Sequence, residues 1–300
     1  MLDPIAITAD LATAALPRTV RSYDQVASTQ DLARQLLHEL DEHQLPVLVL
    51  ADEQTAGRGR MGRLWVAPAG SALLFSLALR PTWLPPDQGV ALVWLIAVAL
   101  CEAVEDVTPL RPGLKWPNDL LVRAVGSHTN DPVAGSTSPL PDDPTPPAAP
   151  ALGTQSPPPT GSWAKTAGIL LEIGLGSAQV DWAIIGCGIN LSAAPPAELT
   201  RYPATCLDAA AGQTVDRLTL LRALLRRVDA WHERLRHGEG ETLFAAWQAR
   251  LITLGQAVHI TAPEGTITGI AEAVNRAGAL LVRDQAGILH TITAGDVGLI

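Results

Sequence analysis

Four short clusters hold most of the side chains able to do chemistry. Gln54 precedes Gly57-Arg58-Gly59-Arg60-Met61-Gly62-Arg63, where glycines free the backbone and arginines offer paired donors to a carboxylate or phosphate. Lys115-Trp116-Pro117-Asn118-Asp119 sets an ammonium and an aromatic beside an Asn-Asp pair that could hold a sugar hydroxyl, an amine or Mg²⁺. Lys165-Thr166-Ala167-Gly168 leads into an apolar run ending at Glu172, and Gly186-Cys187-Gly188-Ile189-Asn190 brackets a strand end with glycines. Each cluster alone has a plainer reading: an exposed basic turn, Pro-Asn-Asp turn chemistry, or a buried strand that contains glycine. The G-x-G-x-x-G spacing at 57–62 is no dinucleotide fingerprint. That motif must open a helix, whereas Leu64-Trp65-Val66 and the run 72–79 are of strand type.

The basic residues sharpen the pattern. Of 21, nineteen are arginine and only Lys115 and Lys165 are lysine. A compositional bias toward Ala, Pro, Arg and Gly accounts for the scarcity. Both survivors still fall inside the clusters, where a compact point charge differs from a planar fork.

The 300 residues allow about two domains, and 47 % apolar content supports a sizeable core. A net charge of −9 argues against general binding to DNA or to an anionic membrane surface. Cys101, Cys187 and Cys206 are odd in number and lack metal-ligand spacing, which fits buried thiols in a reducing cytoplasm. No secretory signal opens the chain, and the apolar run from Val90, broken at Glu102, is too short to span a bilayer.

The elements that must position these clusters are readable in outline. Strands are expected at 20–26, 47–51, 72–79, 113–116, 119–123, 166–174 and 180–186. Ser28 opens a helix with Leu32, Leu36, Leu37 and Leu40 on one face. Pro85-Pro86-Asp87 starts an apolar helix to about 105, Thr214 caps a long helix to about 236, and another covers about 240–250. From 255 on, short β-type runs between glycine turns read as a small barrel. Between Ala124 and Ser162, ten of 39 residues are proline, with almost no large apolar side chains. That composition predicts a disordered insertion that loops out of a hairpin.

Read in chain order, Ser28-Thr29, Gln54 with GRGRMGR-x-W, KWPND, KTAGILLE and GCGIN resemble the motif series of the biotin–protein ligases, over about residues 20–300. The resemblance implies an α/β (α+β) fold: a central mixed sheet with helices on one side, like a class II synthetase, then an SH3-like barrel. It implies a catalytic domain over 1–252 and a C-terminal domain over 253–300. The implied activity uses ATP to convert biotin to biotinoyl-5′-AMP, then biotinylates one lysine of a biotin carboxyl carrier domain. Ser28, Thr29, Gln30 and Gln54 correspond to biotin-binding positions, Gln30 standing where the family has Asn. Arg58, Gly59 and Arg60 correspond to the loop that closes over biotin and adenylate. Trp65 corresponds to a wall for adenine and Trp116 to one for biotin, with Gly168 also at the biotin site. Lys115, Asn118 and Asn190 fall on the ATP side. Lys165 corresponds to the lysine that contacts the carboxylate, and Asp119 to the aspartate that helps deprotonate the acceptor. Arg58, Arg60, Lys115, Lys165 and Mg²⁺ would offset charge at the attacked phosphate, with no side chains assigned as metal ligands.

The chain departs from the family pattern in the long insertion and in its start. About 20 residues precede the first strand, too few for the DNA-binding module of relatives that double as repressors, so a monofunctional, cytoplasmic ligase is expected. A homodimer is compatible with the family. Competing readings are a lipoate- or octanoate-transferring relative and a non-catalytic biotin-binding regulator.

Overall fold

The computed structural model describes residues 1–123, 162–200, 202–262 and 265–299. The proline-rich insertion expected over 124–162 lies outside them except for Ser162. In chain order the elements are α1 (Pro4–Thr8), β1 (Thr19–Val26), α2 (Thr29–Glu39), β2 (Val47–Gln54), β3 (Ala72–Leu79) and α3 (Ala91–Val107). There follow β4 (Gly113–Lys115), β5 (Asp119–Val122), β6 (Ala164–Leu175), β7 (Val180–Asn190), α4 (Leu207–Ala211), α5 (Arg217–Arg236) and α6 (Gly240–Gln248). The chain ends with β8 (Ala257–Ala262), β9 (Gly265–Val274), β10 (Leu280–Asp284), β11 (Leu289–Ile292) and β12 (Asp296–Leu299).

Seven strands form one sheet in the order β1-β2-β3-β7-β6-β5-β4. Only β1 and β2 run parallel, because α2 supplies the crossover that a parallel pair needs. Alternation along β2 assigns two faces. Leu48 and Leu50 join the large core with Leu73, Phe75, Leu77, Ile185 and Ile189. Val47 and Val49 turn the other way, against Ala33, Leu36 and Leu37 of α2. Most helices therefore lie on one face as expected, whereas α2 packs on the opposite face and makes a second, smaller core.

On the large-core face α3 is buried along nearly its whole length, as a helix apolar all round must be. It is flanked by α5 and α6, and Trp94 stacks on Trp247 at 5.0 Å. Glu102, the polar break in that run, accepts a hydrogen bond from Trp231 Nε1 at 3.1 Å. The helix begins at Ala91, not at Pro85, since Pro86–Gln88 forms a separate 3₁₀ turn. Asp216, not Thr214, caps α5, accepting from Thr219 N. Leu64-Trp65-Val66 is not a strand: only Leu64 forms a single bridge, to Arg58. The short α1 and α4 left no readable periodicity in the sequence.

The five C-terminal strands form an antiparallel sheet in the order β11-β10-β9-β8-β12, around Val258, Ile260, Ala271, Leu280, Val282 and Val297. It is tied to the first sheet beside the Lys115 cluster: Trp116 N donates to Thr253 Oγ1 and Trp116 Nε1 to Gly278 O, both at 2.9 Å.

Asp229, buried on α5, holds the segment before β1. Its carboxylate accepts backbone N–H groups from Ala14, Ala15 and Leu16 at 2.7, 2.8 and 2.8 Å. Replacing Asp229 by Ala strips those donors of their acceptor and is expected to cost about 2–4 kcal/mol. Denaturant unfolding should show a lowered midpoint with an unchanged slope, and Asp229→Asn, which keeps one acceptor oxygen, should fall between.

Candidate active site

The cleft is where side chains are missing from the α2 face of the sheet. Strand register sets Leu74, Gly188, Gly168, Asp119 and Lys115 side by side across five strands on that face. Ser76 and Gly186 form the adjoining pair next to α2. Glycines there leave a floor that Trp65 occupies. A Cβ on Gly188 would lie 2.4 Å from Trp65 Cε2, and one on Gly168 would lie 3.2 Å from its Cζ3. Among the described residues the buried Trp65 indole N–H has no hydrogen-bond partner, so it is a donor a ligand could satisfy.

Both lysines reach this face. Lys165 has the wrong parity to share a side with Gly168, but a bulge shifts the β5–β6 register between Leu120 and Leu121 and turns it over. Its Nζ lies 2.7 Å from Asp119 Oδ1 and 5.8 Å from the centre of the Trp65 ring. Lys115 is only 4 % exposed, with its Nζ 3.8 Å over the Tyr202 ring. Burial pushes the Lys115 pKa down to about 8, against the pull of Asp119 and helped by the charge on Lys165.

At the α2 end, Ser28 caps the helix, its Oγ accepting from Gln30 N at 3.2 Å. Gln54 Oε1 accepts from Thr29 N at 2.7 Å and lies 3.0 Å from Thr29 Oγ1. Gln30 Nε2 donates to Ile184 O at 3.1 Å, and its Oε1 accepts from Ser76 Oγ at 3.0 Å. Both ends of the Gln30 amide are thus engaged within the protein.

The arginine loop closes the remaining side. Gly59 N donates to Arg63 O at 2.7 Å. At Gly57 the backbone passes too close to Trp65 for a side chain, since a Cβ would meet Trp65 O at 2.5 Å. Arg60 donates to Asn118 Oδ1 at 3.2 Å, and Asn118 Nδ2 donates to Ile169 O at 2.6 Å. Arg58 points outward to Asp31 at 2.5 Å and Glu172 at 3.4 Å, and Glu172 also pairs with Arg34. Arg63 meets Asp296 of the C-terminal sheet at 2.7 Å.

Every site residue singled out in the sequence lines this one cleft. Some turn their polar groups elsewhere. The Trp116 indole N–H faces Gly278, and buried Asn190 donates to Thr205 O at 3.2 Å, bracing the segment after β7. Sequence reasoning missed Ser76, Tyr202 and Asp296, which also line the cleft. Ser76 had a signal, being the lone polar residue of the run 72–79, and Tyr202 is one of only two tyrosines. A cleft with an aromatic floor, two ammonium groups and a guanidinium beside paired hydroxyls suits an anionic ligand that also carries hydrogen-bonding groups.

Comparison with known proteins agrees. Residues 23–138 match the Biotin/lipoate A/B protein ligase family, and residues 253–299 match the Biotin protein ligase C terminal domain. The bifunctional ligase/repressor BirA of Bacillus subtilis (strain 168) is 30 % identical over 283 residues, covering 92 % of this chain and 73 % of the relative. The biotin–[acetyl-CoA-carboxylase] ligase of Mycobacterium tuberculosis is 30 % identical over 258 residues, covering 84 % and 78 %. The fold is similar to that of a biotin protein ligase from Aquifex aeolicus in complex with biotin and ATP. There the TM-score is 0.66 at 24 % identity, covering 94 % of this chain and 98 % of that one. The chain belongs to the biotin protein ligase family.

The glycine floor makes a direct prediction. Gly188→Ala forces the indole off its seat. The emission of Trp65, taken as the difference between each protein and its Trp65→Phe counterpart, should shift to the red. An unshifted difference would mean the indole lies elsewhere.

Proposed function

We propose that the chain is an ATP-dependent ligase that activates biotin as biotinoyl-5′-AMP and passes the biotinoyl group to one lysine of a biotin carboxyl carrier domain. Family membership supports the reaction class. The match of 253–299 to a C-terminal domain named for biotin ligases favours biotin over lipoate. The observation that carries the reading is that the chain's two lysines share a cleft with Arg60, an unpartnered indole N–H and the Ser28 and Thr29 hydroxyls.

In the first step a biotin carboxylate oxygen attacks the α-phosphorus of ATP, and the bond to pyrophosphate breaks. Both reactants are anions, so their approach needs fixed positive charge in a dry cleft. Lys165 would receive the carboxylate, which competes with Asp119 for its ammonium. Lys115 and Arg60 would face the phosphates, with Asn118 holding Arg60, and Arg58 would join them only by leaving Asp31 and Glu172. In the second step the acceptor amine attacks the acyl carbon and AMP leaves. Asp119, released from Lys165, would then take the proton the amine must lose. Trp65 and Trp116 would wall the cleft, Gln54 and Gly168 would border biotin, and Asn190 would shape the nucleotide end.

Mg²⁺ would enter on the triphosphate, a hard cation that keeps its water and phosphate ligands. No cluster of three or more His, Cys, Asp or Glu able to hold a metal occurs among the described residues. Bound to the triphosphate, Mg²⁺ would neutralise phosphate charge. The division of labour we propose sets biotin and ATP binding in 1–252 and support of Trp116 and Arg63 in 253–300. Among the described residues no helix is long and apolar enough to cross a membrane, and the proposed place of action is the cytoplasm.

Biotin-dependent exchange of labelled pyrophosphate into ATP tests the reading. Wild type should exchange, and Lys165→Ala should lose at least 10²-fold of the rate (~3 kcal/mol). A fully active variant would sink the assigned role. Lys115 adds a pH dependence. Its ammonium is present in the free enzyme below about pH 8 and is lost above it. kcat/KM for ATP should therefore fall on the alkaline side with an apparent pKa near 8, and Lys115→Arg should abolish that limb whatever its absolute rate.

A further inference from the structure

We infer that Ser76 and Gln30 are positioning residues that fix the proton direction of the Thr29 hydroxyl, so that Thr29 meets the ureido ring as an acceptor only while Ser28 meets it as a donor. This rests on the reading that biotin is the substrate, and it assigns a specificity role to a serine inside a strand.

Two backbone groups anchor the polarity. Ile184 O can only accept, so the amide nitrogen of Gln30 must face it and Oε1 must face Ser76. Thr29 N–H can only donate, so Gln54 must turn Oε1 toward it. Ser76, fully buried, therefore gives its proton to Gln30 Oε1. Its oxygen stands 2.9 Å from Thr29 Oγ1, a contact that needs the Thr29 proton because the Ser76 proton is spent. Were the Thr29 proton turned instead to Gln54 Oε1, 3.0 Å away, it would still be used within the protein. In either arrangement Thr29 keeps only lone pairs for the cleft.

Ser28 is the reverse. Its oxygen already accepts from Gln30 N, and its proton has no acceptor among the described residues. Two adjacent hydroxyls lining one cleft thus present a donor and an acceptor, the complement of the C=O and N–H of a cyclic urea. Gln30 fits here because residue 186 is glycine: a Cβ there would stand 2.5 Å from Gln30 Oε1.

The probes are biotin and its two regioisomeric cyclic carbamates, in which one ring N–H becomes oxygen. Titration calorimetry on wild type should show biotin binding and rejection, by about 10²-fold or more, of the carbamate that sets oxygen against Thr29. In Ser76→Ala no oxygen lone pair stands 2.9 Å from Thr29 Oγ1, so turning its proton to the ligand exchanges only the 3.0 Å contact with Gln54 Oε1 for a bond to the ligand, and that ratio should fall at least tenfold. KM for ATP, and kcat at saturating biotin, should stay within about twofold. A merely structural loss would weaken both ligands alike and leave the ratio unchanged, which would overturn the inference. Gln30→Met, which keeps bulk and removes the acceptor, should lower the ratio in the same way and carries the test if Ser76→Ala does not fold. Failure of wild type to bind biotin at all would instead overturn the ligase reading.

Discussion

Keeping two ammonium groups inside one cleft of a protein that has no other lysine is the constraint on which the rest of the site depends. Taking a charge out of water is costly unless partners replace the water. Lys165 obtains Asp119 at 2.7 Å. Lys115 obtains the face of Tyr202, a weaker substitute, and burial lowers its pKa. A polyanion would satisfy both charges better than the protein does. The cleft is therefore held ready for negative charge, and the same imbalance that weakens the empty protein would strengthen binding of phosphate.

The sheet makes such a cleft possible without losing its core. On one face, Leu73, Phe75, Leu77 and Ile185 bury against the α3 layer, and that face alone supplies most of the hydrophobic stabilisation. The opposite face is then free to be incomplete. Helix α2 covers part of it, and Gly168, Gly186 and Gly188 leave the remainder hollow. Glycine in strands weakens them, yet these strands are central, paired on both sides and backed by the large core. The seat of Trp65 and the space for Gln30 both exist because a Cβ is absent.

Much of this was legible in sequence, and what was missed has physical reasons. Strand β3 declared itself by eight consecutive small or apolar residues, and the two lysines stood out by rarity. Motif order, more than any single spacing, pointed to the family. The direction of Lys165 was not readable, because strand alternation puts it on the core face and only the bulge in the β5–β6 register reverses it. Nor was the engagement of Gln30: an amide named at a ligand position could not reveal that a backbone carbonyl 154 residues away would claim it. Helix α2 on the second face escaped for a similar reason. Its apolar stripe says that it packs, but not on which side of the sheet. The proline-rich insertion falls outside the described residues, so its predicted looping-out stands as a sequence expectation.

The C-terminal sheet belongs to this same economy of charge. Arg63 ends the arginine loop and pairs with Asp296 of the C-terminal sheet, while Gly278 fixes the indole of Trp116, the residue after Lys115. Both ties end beside a cation of the cleft. Lys115 sits at the end of β4, a three-residue edge strand, with its turn facing the second sheet. An edge strand that short has little stiffness of its own. Anchoring Trp116 at both its backbone N–H and its indole N–H supplies the rigidity that a buried, imperfectly compensated ammonium requires. The small sheet thus acts on the cleft through position: its ties to Trp116 brace the residue next to Lys115, which β4 alone holds weakly.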